Sequence, residues 1–138
     1  MSAPSALPLA KVHAAMQAMT EKLSEVARET GRQICVAGRS LDRIIEVAQD
    51  NGYLADFPKP VSFDTAMGLP RREVLVVATG GQGEPRAALA RVAEGNHQIK
   101  LEEGDTVLFS SKVIPGNEIA IGRIQNRLAA DGIQMITD

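Results

Sequence analysis

Three stretches of the chain concentrate residues that can hold an anion. They are Gly38-Arg39-Ser40, Thr79-Gly80-Gly81-Gln82-Gly83-Glu84-Pro85, and Ser110-Ser111-Lys112-Val113-Ile114-Pro115-Gly116-Asn117-Glu118. All are small, polar and rich in backbone donors, and Arg39 and Lys112 add positive charge. Each leads toward a helix-like segment, where unpaired N–H groups and the helix dipole favour negative charge. That composition suits a phosphate or a sugar-phosphate backbone. It does not match a dinucleotide fingerprint, because Gly80-Gly81-Gln82-Gly83 lacks the GxGxxG spacing, nor a P-loop, because no Gly-Lys-Ser/Thr follows. Taken alone, the glycine-rich stretch reads equally as a plain strand-to-helix turn, and Ser110-Ser111 as a cap and a turn.

Covalent and metal chemistry find little support. Ser40 lies near Asp42, but no histidine is in register and no GxSxG elbow exists. The chain has one cysteine and two histidines. A single Cys35 excludes an internal disulfide and a cysteine-based zinc site, and a reducing compartment fits best. Cys35 falls in a strand-like run and reads as an inert core residue. His13 and His97 read as surface residues. Glu84 and Glu118 read as charges favouring nearby helix N-termini, with a crevice-facing role as the alternative. Arg71 and Arg72 precede a strand and read as solvated.

These residues need a scaffold, and the glycines mark it out. Gly31, Gly52, Gly95 and Gly132 each follow an apolar pattern of helical period, as helix-ending glycines do. The first pattern is Val12, Ala15, Met16, Met19, Leu23 and Val26. The second is Leu41, Ile44, Ile45 and Ala48, with Ser40 as N-cap. The third is Ala88, Leu89, Val92 and Ala93, with Pro85 in its first turn. The fourth is Ile121, Ile124 and Leu128, with Asn117 as N-cap. Strand-like runs lie between them at residues 33–37, 74–79, 106–109 and 133–136, with a weaker one at 61–63. The run from Val74 to Ala78 is apolar throughout, as in a strand covered on both faces. The alternation predicts a three-layer α/β fold: a mostly parallel, Rossmann-like sheet with helices on both faces. In such folds ligands bind beyond the carboxyl ends of the strands, where all three loops fall.

Length and composition agree. The 138 residues, 44% hydrophobic and 23% charged, suit one globular domain. Residues 1–9, with two prolines, read as a flexible leader, and 10–138 as a single α/β domain. A net charge of −2 argues against a strongly basic nucleic-acid module. No apolar run approaches membrane-spanning length, and the N-terminus lacks a secretory pattern.

The order Thr79-Gly80-Gly81-Gln82-Gly83-Glu84-Pro85, Gly104-Asp105-Thr106-Val107, Phe109-Ser110-Ser111, then Ile114-Pro115-Gly116-Asn117-Glu118 resembles the β-CASP region of ribonuclease J. Gly38-Arg39-Ser40-Leu41 followed by Gly52-Tyr53-Leu54 resembles the same region's earlier helix and turn. The similarity runs from about Gly31 to Asp138. That family comprises RNA-processing nucleases of the metallo-β-lactamase superfamily. The resemblance implies a region inserted in a metallo-β-lactamase domain, with RNA running between the two and zinc held mainly by the other domain. The superfamily's HxHxDH motif is absent from this sequence. The chain alone is therefore expected to hold no cofactor and no catalytic residue, and to be inactive. Its expected role is to bind RNA through Arg39, Ser40, Gly80, Gly81, Gln82, Gly83, Glu84, Ser110, Ser111, Lys112 and Asn117. Expected partners are RNA, bound weakly by the isolated chain, the parent metallo-β-lactamase domain, and a second copy of the chain; the expected location is the cytoplasm. Two other readings stand beside it: a free-standing phosphate or nucleotide binder, and a non-catalytic assembly module pairing through the Met/Leu face of the first helix.

Overall fold

The computed structural model describes residues 21–52, 57–109 and 113–137. Residues 21–30 are helical (α1). There follow β1 (Gln33–Ala37), α2 (Arg39–Asp50), α3 (Phe63–Gly68), a 3-10 turn (Arg71–Glu73), β2 (Val74–Ala78), α4 (Ala88–Glu94), β3 (Thr106–Leu108), α5 (Glu118–Ala130) and β4 (Gln134–Ile136). The fold is mixed α/β with parallel strands, as the alternation predicts. The expected leader at 1–9, His13, Met16 and Met19 lie outside the described residues.

The pairing is parallel throughout. β1 runs beside β2 with Gln33 opposite Val74 and Ala37 opposite Ala78. β3 runs beside β4 with Thr106 opposite Gln134 and Leu108 opposite Ile136. Among the described residues the strands form these two separate pairs. Alternation along β1 sends Ile34 and Val36 to one side and Cys35 to the other. Ile34 and Val36 pack with Ala27 of α1, Ile45 of α2 and Phe57. Cys35 packs with Ala66 of α3 and Ile99, and Val92 of α4 lies against that group. Helices thus cover both faces of the β1–β2 pair. Leu89, Ala90 and Ala93 of α4 pack with Ile124 and Leu128 of α5, Phe109 and Ile133, and Val107 and Met135 lie against them. The alternate residues Leu108 and Ile136 are 66% and 55% exposed, so the opposite face of the β3–β4 pair is open among the described residues.

Several expectations are corrected. Residues 61–63 form no strand: Ser62 caps α3, its hydroxyl accepting from the Thr65 N–H at 3.1 Å. Val61 still donates to the Ile34 carbonyl at 2.9 Å, so the backbone grazes the edge of β1 before turning into the helix. The strand buried on both faces is β1; β2 is only half-buried. Ser40 does not cap α2, which begins at Arg39 after Gly38. Pro85 lies three residues before α4 and outside it. Val26 and Ile44 are exposed, and Ser24 and Ala27 supply the buried positions of α1. The four helix-ending glycines all have positive φ, as expected. Cys35 is fully buried, and burial, with the nearby Asp42 charge, pushes its thiol pKa up.

His97 is buried, against expectation. Its Nδ1 accepts from the Ile99 N–H at 3.0 Å, and its ring meets Phe63 edge-on at 5.0 Å between centroids. Burial first, then the Arg91 and Lys100 charges, lower its pKa below the ordinary 6.5. The unfolded chain therefore binds the imidazole proton more readily than the folded one. The stability this group contributes is full above pH 6.5 and is lost as pH falls toward the lowered folded value. Urea unfolding at pH 7.5 and 5.5 should show a decline that is smaller in His97→Gln. An equal decline in both proteins would refute this assignment.

Candidate functional site

The rim begins where β1 and β2 end together. The Thr79 N–H donates to the Ala37 carbonyl at 3.1 Å. Thr79 then serves the next helix: its hydroxyl accepts from the Ala88 N–H at 3.3 Å and its carbonyl from the Leu89 N–H at 2.9 Å. The first amides of α4 are thus used within the chain. The helix has seven residues and no side-chain cap from its own Ala87. Two of the amides that this helix N-terminus would offer an anion are accordingly taken by Thr79 oxygens.

The three loops meet. A Cβ on Gly38, whose φ is +134°, would lie 2.6 Å from the Thr79 Oγ1 and Cγ2 atoms. A Cβ on Gly83, with φ of +81°, would lie 2.8 Å from the Ala120 carbonyl carbon and the Ile121 nitrogen. Only glycine permits both the left-handed backbone and this approach. Gln82 supplies the polar link: its Oε1 accepts from the Ile114 N–H at 2.9 Å and from the Asn117 Nδ2 at 3.2 Å. Asn117 stands at the N-cap position of α5 without a side-chain cap bond, and its amide is turned toward Gln82 instead. Glu118 folds back, Oε2 accepting from the Gly116 N–H at 2.9 Å. That supports its reading as a charge satisfying the helix start.

The sequence-predicted residues that are described are therefore brought to one edge, with different exposures. Arg39, Ser40 and Glu84 are exposed, Gly81, Gln82 and Asn117 half-buried, and Gly80 and Gly83 buried. Ser110, Ser111 and Lys112 lie outside the described residues. Sequence reasoning missed two participants. Thr79 organises the rim, and its strand-end position before three glycines was the available signal. Arg86, exposed in the same connection, offers a second cation.

The opposite edge carries a clamp rather than a site. Arg71 is half-buried, correcting its solvated reading. Its Nε donates to Asp105 Oδ1 and Oδ2 at 2.9 and 3.0 Å, and one terminal nitrogen donates to the Lys100 carbonyl at 2.6 Å. Arg32 donates to the Val74 carbonyl at 2.8 Å beside it. Burial alone would raise the Asp105 pKa, but the hydrogen bonds from Arg71 and the Glu102 N–H, with the Arg71 charge, hold it below its ordinary range. The Asp105 hydrogen bond leads in raising the Arg71 pKa. Arg72 is exposed, as expected.

Among the described residues no three His, Cys, Asp or Glu side chains come together to hold a metal ion. The zinc implied by the resemblance finds no fitting ligand set among them. Nor is any helix there long and apolar enough to cross a membrane.

Comparison with known proteins agrees with this architecture. The family described as "Ribonuclease J, beta-CASP domain" matches residues 10–128. A ribonuclease J of Sinorhizobium meliloti is 44% identical over 118 residues, covering 84% of this chain and 21% of that protein. Ribonuclease J2 of Bacillus subtilis is 39% identical over 118 residues, again 84% of this chain and 21% of that protein. A ribonuclease J of Thermus thermophilus is 39% identical over 111 residues, 80% of this chain and 19% of that protein. The chain thus spans about a fifth of the length of these relatives.

Proposed function

The chain belongs to the β-CASP domain family of ribonuclease J, a metallo-β-lactamase-fold nuclease, and on that premise we propose that its rim positions RNA for cleavage carried out elsewhere in the parent enzyme. The observation that supports this reading is the convergence of three separate loops beside the carboxyl edge of β1 and β2, held by the Gly38–Thr79 approach and by the Gln82 bonds to Ile114 and Asn117. An extended edge of this kind can follow a strand of nucleic acid. In this reading Arg39 and Arg86 supply charge for phosphates, and Ser40, Gly81 and Asn117 supply polar atoms. Ser110, Ser111 and Lys112 belong to the same proposed set by sequence. Contacts of this type fix the strand's register without reading bases. Hydrolysis would depend on zinc and its ligands in the metallo-β-lactamase domain, which is the proposed partner, and the setting proposed is cytoplasmic.

The test is fluorescence anisotropy of a labelled single-stranded RNA over a salt series. Binding should be weak, and its logarithm should fall by about 0.7 per neutralised phosphate for each decade of salt. Arg39→Ala should weaken it several-fold and reduce that slope by about 0.7. A melting shift with a mononucleotide, and no response to RNA, would instead establish the small-ligand reading.

A further inference from the structure

We propose that Gln82 is a positioning residue, whose carboxamide locks the glycine-rich loop to the connection ahead of α5 so that RNA meets one preset rim. The inference rests on the RNA-binding reading and sharpens the role of Gln82 within it, from a phosphate contact to a lock. The side-chain oxygen accepts two donors, Ile114 N–H and Asn117 Nδ2, 32 and 35 residues away in sequence. Two donors on one atom use both lone pairs of that oxygen and identify it as oxygen rather than nitrogen. The loop is held at its other points as well. Thr79 is bonded to α4 and to Ala37, and Gly83 abuts the first turn of α5. Gln82 lies between these anchors. Ile114 is two residues beyond Lys112, so the bond anchors the chain next to the serine-bearing stretch.

Ile114 is exposed and Asn117 half-buried, so water can replace the lost acceptor. Removing it should change global stability little while freeing the two loops to move separately. That separates positioning from mere structural support. The experiment uses the whole chain and compares it with Gln82→Met, similar in size without a carbonyl acceptor, and Gln82→Glu, which keeps the accepting oxygens. Amide exchange is followed at Ile114 and at Cys35, and RNA affinity by anisotropy. In Gln82→Met the Ile114 amide should exchange about ten-fold faster and RNA should bind about ten-fold more weakly, with Cys35 exchange unchanged. In Gln82→Glu the Ile114 protection should persist. Unchanged Ile114 exchange in Gln82→Met, or lost protection in Gln82→Glu, overturns the lock. Faster exchange with unaltered RNA affinity overturns the positioning role and leaves the RNA reading standing. No RNA binding by the unmodified chain sinks that reading and the positioning role together.

Discussion

Gly83→Ala is expected to unfold about 10 °C below the unmodified chain and to lose RNA affinity with it. Two costs add at this position. The backbone sits at φ +81°, where a Cβ is strained. The added methyl would also stand 2.8 Å from the Ala120 carbonyl carbon, the Ala120 Cβ and the Ile121 nitrogen. Two of those three atoms are backbone, in the first turn of a thirteen-residue helix whose Ile121, Ile124 and Leu128 are buried. They cannot swing aside as a lysine tail can. Strain of about 1–2 kcal/mol and overpacking of about 1–3 kcal/mol together suggest about 3 kcal/mol. Gly95→Ala provides the control. That glycine is also left-handed, at φ +80°, but nothing lies within 4 Å of its would-be Cβ, so only the strain should appear. Thermal melts of both variants test this; equal losses would show that the approach to α5 is unimportant.

Arg71→Met is expected to cost about 2–3 kcal/mol. The guanidinium spans the amino ends of the two strand pairs, from the turn before β2 to Asp105 just before β3. Without it, Asp105, whose side chain is 18% exposed, keeps the Glu102 N–H but loses its cation, and the Lys100 carbonyl loses a donor. The contact to Glu102 at 3.6 Å is more exposed and should contribute little. The pH dependence supplies an independent check. Asp105 titrates lower when folded, so its contribution is present above the ordinary carboxylate range and disappears as pH falls through the lowered value. Urea unfolding from pH 7 to pH 3 should therefore lose less stability in Arg71→Met than in the unmodified chain. A double-mutant cycle with Asp105→Asn should return a coupling above about 1 kcal/mol, and additive losses would remove the clamp from the account.

What the sequence foretold follows from how strongly each signal is tied to the backbone. Continuous apolar runs located β1 and β2 within a residue, and glycines located the helix ends, because both reflect local constraints. Side-chain partners across the fold had no local signature. Arg71 looks like any charged residue before a strand until Asp105, 34 positions away, is placed against it. His97 looks like a surface residue until Phe63 and the Ile99 N–H enclose it. Ser40 has the chemistry of a cap, but Gly38 already turns the chain and α2 starts two residues early. Val26 and Ile44 fit the helical period, yet the packing surface is turned toward Ala27 and Ile45. The rim was found as a set of loops because parallel α/β topology dictates which strand ends carry them. Its internal bonding, through Thr79 and Gln82, could not be read from loop composition.

The Gly38–Thr79 contact also limits which substitutions the rim can accept. Position 79 needs an acceptor for the Ala88 amide and a branched shape that fits against a residue with no side chain. Serine keeps only the acceptor, and valine only the branch. Any side chain at 38 would claim the space that Thr79 already occupies. The two positions thus constrain each other although they lie on different loops: glycine at 38 is required both by its φ of +134° and by the room that Thr79 takes.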